Sequence, residues 1–392
     1  MTQTDVRPNW FMYFPGTTPA HYRWSSAIMG SLSSAPWGGA DQGDVYRVGS
    51  RLLDHVGDDE LWFQEWRRLG DEVRALASGE EEKGRRLTAA GAYLRACCYY
   101  QMGERFRTPK DDAALEAYRT AVDCFHRYAA LTDTPSIEPV EVPYEGGSLP
   151  GYMVQPIRSE PGPAPCVVFF DGLDVTKELQ FVRGVMEIVR RGVACLIMDG
   201  PGTGEAIRLR NLPLRYDYEV AGSAALDYLI TRGDVDADRI GIMAISLGGY
   251  YAPRCASMEP RFKACVAWGA IWDYYATWKR RIESEYNASL SVPGHHITWI
   301  FQVDTPQEAL EKLKGFPLDG VVQRMRCPFL LCHGEEDAQI PMEDAQALFD
   351  AVGSEDKTFR VFTVKEGGAQ HCMRDHLTLG ITTIADWLAE KL

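Results

Sequence analysis

The stretch from Arg239 to Tyr251, RIGIMAISLGGYY, decides how the rest of the chain is read. An apolar run with strand character, RIGIMAI, ends at Ser246, and Gly248 and Gly249 then open a helix-prone segment. This is the order of a nucleophile elbow, a strand–turn–helix corner that presents a reactive serine. Such a corner calls for small residues two before and two after the serine, because strand and helix pack closely behind a strained backbone. Gly248 meets the second demand, whereas Ala244 brings a methyl group where glycine is usual. The competing reading is a Gly-rich helix start with an incidental serine.

A serine hydroxyl is a weak nucleophile until a base takes its proton, and a third group must orient that base. The reading of Ser246 therefore depends on an acid and a base elsewhere in the chain. Asp337 follows the run PFLLCHG (328–334), within HGEEDAQIP, and His371 follows TFRVFTV (358–364) and the two glycines of KEGGAQHC. Serine, then aspartate, then histidine, each after a strand, is the chain order of α/β-hydrolases. Glu335 and Glu336 adjoin Asp337 and compete for the role of the acid; their plain reading is a solvated acidic loop, and the H-G-x-x-D-x-x-x-P spacing favours Asp337. His376 reads as a surface or helix-packing histidine, and His295 and His296 in SVPGHHITW as solvent-facing or packing residues. An oxyanion formed at the reacting carbon needs hydrogen-bond donors. The expected ones are the backbone N–H groups of Leu247 and of Leu173, the latter in the DGLDVTKE loop after CVVFF (166–170). The loop DGPGTGEA (199–206) lacks both the G-x-G-x-x-G spacing and a G-K-[ST] lysine, so it reads as a tight strand–helix turn rather than a phosphate cradle.

Around these motifs, apolar runs at 193–199, 239–245, 264–270, 328–334 and 358–364 alternate with helical segments, including 217–232, 342–351 and about 371–390. A mainly parallel sheet covered on both faces follows, with class α/β. It is entered through a hairpin of 137–144 and 149–157 around Glu145–Ser148. Residues 271–325 break the rhythm and read as a helical insert over the sheet edge; they carry Trp272, Tyr274, Tyr275 and Trp278, which with Trp268 and Tyr250 are candidates to bind a flat substrate, a core role being an equal alternative. Residues 1–135 read as an N-terminal helical module or cap, and 136–392 as the catalytic domain. Its helices show apolar residues at three- and four-residue spacing, Leu61 to Leu76 and Leu87 to Cys97, with Gly79 and Gly103 expected to relieve left-handed caps. No repeated 34-residue signature supports a tetratricopeptide array.

The chain has 392 residues and a net charge of -14. Acidity argues against nucleic acid or an anionic membrane as partner, since phosphate binding needs clustered Lys and Arg. The start of the chain has no signal-peptide pattern, and no run approaches the roughly 20 apolar residues of a spanning helix, so a cytoplasmic protein is expected. The ten cysteines lie mostly in apolar strand or helix patterns, which predicts buried free thiols. Without C-x-x-C or H-E-x-x-H spacing, neither a metal nor a cofactor is expected.

Together, SLGGYYAPRCA, EPRFKACVAWGA, DGLDVTKE and DGPGTGEA resemble the α/β-hydrolases grouped with dihydroxypseudooxynicotine hydrolase of nicotine breakdown and with fungal hydrolases that shorten polyketide pigment precursors. The resemblance covers about residues 43 to 390. It implies Ser246, Asp337 and His371 as the triad, cleavage of a carbon–carbon bond beside a ketone, a site roofed by helices, an aromatic or polyketide substrate, and a homodimer. An ester, lactone or thioester hydrolase using the same triad is the alternative. A non-catalytic binding protein on a hydrolase fold is a third possibility, against which the complete triad counts.

Overall fold

Alternate residues of one short run, APCVVFF, point to two different cores, and the molecule is organised around that division. The computed structural model describes residues 11–158, 162–285 and 290–392. β3 (Ala164–Phe170) is buried along its whole length. Val167 and Phe169 enter one core, shared with the N-terminal helices, while Cys166, Val168 and Phe170 enter the other. This is the period-two geometry of a strand covered on both faces.

The sheet also contains β1 (Ile137–Tyr144), β2 (Gly147–Val154), β4 (Ala194–Met198), β5 (Val235–Ile245), β6 (Cys265–Trp268), β7 (Phe329–Gly334) and β8 (Lys357–Phe362), in the order β1-β2-β4-β3-β5-β6-β7-β8. β1 and β2 pair antiparallel, as do β2 and β4; the pairings from β4 through β8 are parallel. The opening hairpin is tighter than expected, because Tyr144 pairs with Gly147 across Glu145 and Gly146, both at positive φ. Two such residues match the twist of the flanking strands.

Among the described residues five α-helices precede the sheet: α1 (Pro19–Ser33), α2 (Gln42–Leu52), α3 (Asp59–Glu82), α4 (Arg86–Glu104) and α5 (Asp112–Leu131). α1 was missed in the sequence, where its mix of Ser, Gly and aromatic residues gives no clean apolar stripe. The glycine expectation also needs correction: the left-handed turn after α3 falls at Gly84, with φ +72. Gly79 lies inside α3 and Gly103 inside α4, where a Cβ on Gly103 would stand 3.1 Å from Trp66 Cβ, so Gly103 permits a close helix approach instead. Leu76 and Leu87, assigned to inner faces, are 48% and 85% exposed.

Buried charge joins these helices to the sheet. Gln101 Nε2 donates to Glu178 at 3.1 Å, Arg105 Nε donates to Asp174 at 2.7 Å, and Arg208 grips Glu104 with both Nε and Nη2 at 3.0 and 2.8 Å. Such groups tolerate burial only when paired. Between β6 and β7 lie the helices Tyr274–Glu285, His296–Phe301 and Pro306–Leu313, within the expected insert. All ten cysteines are free thiols, and only Cys327 is less than fully buried. Among the described residues no helix is long and apolar enough to cross a membrane.

Candidate active site

β5 ends at Ile245, the chain turns through Ser246 at φ +62, and a helix runs from Gly248 to Met258. Positive φ at a non-glycine residue is strained and must be held from outside. Ser246 N donates to Trp268 O at 2.8 Å, locking the turn to β6. The glycines behind it have definite tasks. A Cβ on Gly248 would lie 2.3 Å from Ala244 Cβ, and one on Gly249 would lie 2.3 Å from Gly269 O. Ala244 is thus accommodated because Gly248 leaves it room: the extra methyl occupies the space that a side chain at Gly248 would need.

The loop after β7 carries Asp337 and the loop after β8 carries His371. Ser246 Oγ lies 2.8 Å from His371 Nε2, and His371 Nδ1 lies 2.7 Å from Asp337 Oδ2. Asp337 Oδ1 accepts from the N–H groups of Gln339 and Ile340 at 2.8 and 3.0 Å, which fixes the carboxylate plane. For His371, burial opposes a charge, but the Asp337 carboxylate outweighs it and raises the imidazole above its usual value. For Asp337 burial likewise opposes a charge, and His371 outweighs it and holds the carboxyl below its usual range. This polarity favours an imidazolium once a proton has left the serine.

The histidine loop is pinned by a residue that sequence reasoning did not single out. The Asp375 carboxylate accepts from the N–H groups of Gly368, Ala369 and Gln370 at 2.8, 3.0 and 3.0 Å. Cys372 and Met373, directly after His371, both sit at positive φ. The competing residues lie elsewhere. Glu335 accepts from Val364 N at 2.9 Å, Glu336 from Gln370 Nε2 at 3.3 Å, and His376 Nδ1 faces Glu366 O at 3.3 Å. His295 is exposed.

Leu173 and Leu247 both line the cavity at Ser246. A Cβ on Gly172 would stand 2.9 Å from Ser246 Cβ and 3.5 Å from Leu247 N, so only glycine lets this loop close on the serine. The loop is held from the helical side. His296, read as a packing residue, donates from Nε2 to Leu173 O at 3.0 Å, and Arg105 at the end of α4 grips Asp174. The neighbouring DGPGTGEA turn wraps the buried Asp199 carboxylate, which accepts from Lys177 N at 2.9 Å and Glu205 N at 2.8 Å. Gly204 would collide with that carboxylate if it carried a side chain. The turn therefore serves the architecture.

Of the aromatic candidates Tyr274 lines the cavity, and Tyr250, Trp272 and Trp278 do not. Tyr250 is fully buried and donates to Tyr216 O at 2.7 Å; Trp278 is fully buried in the same core, and Trp272 packs half-buried against it. None of the three lines the space beside Ser246, whose aromatic wall is Tyr274, with Arg281, Gln339 and Arg374 as polar neighbours. Sequence periodicity identifies apolar faces but does not distinguish a core face from a cavity wall.

The Prolyl oligopeptidase family description matches residues 181–392. Hydrolase LUC6 of Fusarium sp is 30% identical, with 92% of this chain and 94% of that protein covered. The 20-hydroxy-prefusarin hydrolase FUS2 of Gibberella moniliformis is 29% identical over 86% of this chain and 88% of its own length. The crystal structure of 2,6-dihydroxy-pseudo-oxynicotine hydrolase superposes with a TM-score of 0.76 at 27% identity, covering 92% of this chain and 95% of that one. With the strand order, the corner at Ser246 and similarity that runs through the N-terminal helices, the chain belongs to the α/β-hydrolases of the prolyl oligopeptidase family and is an enzyme of that group.

Proposed function

We propose that the protein is a serine hydrolase that cleaves a carbon–carbon bond beside a ketone in an aromatic or polyketide substrate, with Ser246 as nucleophile, His371 as base and Asp337 as the group that orients it. The observation that carries this reading is the unbroken line Ser246 Oγ–His371–Asp337 beside a cavity of only about 20 Å³, room for roughly one water. Ser246 Oγ adds to the ketone carbon as His371 Nε2 takes its proton, and the oxygen of the tetrahedral adduct faces the N–H groups of Leu173 and Leu247. Collapse breaks the carbon–carbon bond. The departing carbon keeps the electron pair as an enolate and receives the proton held on His371. Water, deprotonated by His371, then releases the acyl group from Ser246. A route in which water, activated by His371, attacks the ketone directly uses the same residues.

Exclusion of bulk water suits this step, because a carbanionic leaving group is protonated by the one acid in reach. The N-terminal module, residues 1–135, acts in this reading as part of the cap, through Arg105 and the Leu173 loop. Relatives that match most of this chain include one named for 20-hydroxy-prefusarin and one for 2,6-dihydroxy-pseudo-oxynicotine, and this supports a ketonic small molecule over a peptide. Ester hydrolysis through an acyl-enzyme is the second reading, favoured by the same serine, imidazole and donor geometry. Assay of the purified enzyme on an aryl β-diketone and on p-nitrophenyl esters decides between them. Turnover of the diketone is expected; efficient ester hydrolysis with no diketone cleavage would transfer the assignment to the esterase.

A further inference from the structure

The roof of the Ser246 cavity carries more positive charge than its structure uses. Arg374, three residues after the base, is 7% exposed and lines the cavity; its Nη1 donates to Ser26 Oγ at 2.7 Å, while its buried Nε has no hydrogen-bond partner among the described residues. Arg281, on the helix Tyr274–Glu285, lines the same cavity and also an adjoining one of about 410 Å³, so it stands at the throat between them. Its guanidinium lies 5.1 Å from the Trp278 ring centroid, and it has no ion pair among the described residues. A third arginine, Arg183, is buried nearby; burial and then Arg374 and Arg105 push it down to about 9. Three acids lie in the vicinity: buried Asp171, which Arg183 attracts, is pushed well above the usual carboxylate range by burial and by Asp199, and the other two are paired. Asp174 is held by Arg105, and Asp337 by His371.

A buried guanidinium nitrogen without a partner is costly, and a fold retains it where a ligand supplies the missing acceptor; Arg374 Nε meets that condition, while Arg281 is half-buried and reaches the cavity from its stack on Trp278. Core aromatics or aliphatics would fill the same volume without that cost. We propose that Arg374 and Arg281 form an anion subsite, so that the substrate of this hydrolase carries a carboxylate in the same molecule as the bond that Ser246 attacks. A carboxylate matches the planar fork of a guanidinium and accepts two parallel hydrogen bonds. A neutral polyketide or a cationic amine would leave Arg374 unsatisfied.

The inference rests on the assignment of Ser246 for where the reacting carbon lies, but its test does not require turnover. Binding of 4-benzoylbutyrate, an aryl ketone with a carboxylate tail, is compared with that of its methyl ester by calorimetric titration of the Ser246→Ala protein. The acid is expected to bind at least about tenfold more tightly than the ester. Arg374→Met and Arg281→Met, each in that background, should bring the ratio towards one, and Arg374→Lys should retain part of it. Circular dichroism identifies any variant that fails to fold, and the preference of the Arg374-intact protein is read without it. Equal binding of acid and ester, no detectable acid binding at millimolar concentration, or an unchanged ratio in both folded methionine variants would overturn the subsite. Fluorophosphonate labelling of Ser246 in the wild type reads the nucleophile separately: label without acid preference sinks the subsite alone, and acid preference without label sinks the nucleophile alone.

Discussion

The floor and the roof of the site are built in different ways. The floor, Ser246, Asp337 and His371, stands on turns at the ends of the parallel strands β5, β7 and β8; short-range backbone hydrogen bonds fix Asp337 and the His371 loop, and one bond to the adjacent β6 fixes Ser246. The roof, Asp174, Arg281, His296 and Arg374, is assembled by contacts between residues far apart in the chain, such as Arg105 with Asp174 and Arg374 with Ser26. In the proposed reaction the chemistry is carried by local motifs, and selection of the substrate by long-range packing. Damage to the floor should remove the reaction with the fold intact, while damage to the roof should change stability and substrate preference together.

The largest effect is expected on the floor. Ser246→Ala should lower kcat by about 10³–10⁶ with little change in Tm, as measured by single-turnover assay and thermal melt. Asp337→Asn comes next, with a loss of about 10⁴ in kcat, because the imidazole loses both its orientation and its counter-charge. The pH profile sharpens this. The proposed reaction needs neutral His371, so its raised pKa should place the acid limb of kcat/KM above the ordinary value of about 6.5; in Asp337→Asn the limb should move to lower pH. The same raised pKa contributes stability that is complete below about 6.5 and is lost as pH rises through the folded-state value.

On the roof, Arg105→Met leaves Asp174 buried and unpaired, at a cost of about 3–5 kcal/mol in a denaturant melt, together with a fall in activity as the Leu173 loop loosens. A melt unchanged within error would show that α4 does not brace that loop. Gly248→Ala should cost about 1–3 kcal/mol by overpacking against Ala244, and adding Ala244→Gly should restore most of it in a double-mutant cycle. Ala244→Gly alone is the smallest change, leaving activity largely intact. A large gain or loss would mean that the corner is packed otherwise.

The floor was legible in the sequence because each of its parts follows an apolar run and a turn residue, as in AISLGG and GGAQH. The ladder of parallel strands was legible for the same reason, to within a few residues at each end. What was not legible depends on tertiary geometry. Trp278 and Tyr274 read alike as parts of a binding wall, yet Trp278 faces the core while Tyr274, with Arg281 on the same helix, faces the cavity. Arg374 carries no signature in the sequence, and only burial beside Ser246 distinguishes it. Asp375 was equally silent, since a carboxylate that gathers three backbone N–H groups has no signature until the loop is folded around it.

The most direct test of the central claim is the intact mass of the protein after reaction with a small alkyl fluorophosphonate, followed by peptide mapping. One adduct at Ser246 is expected, absent in Ser246→Ala and strongly reduced in His371→Ala. An unmodified protein, or an adduct that persists in Ser246→Ala, would contradict the assignment of Ser246 as the nucleophile.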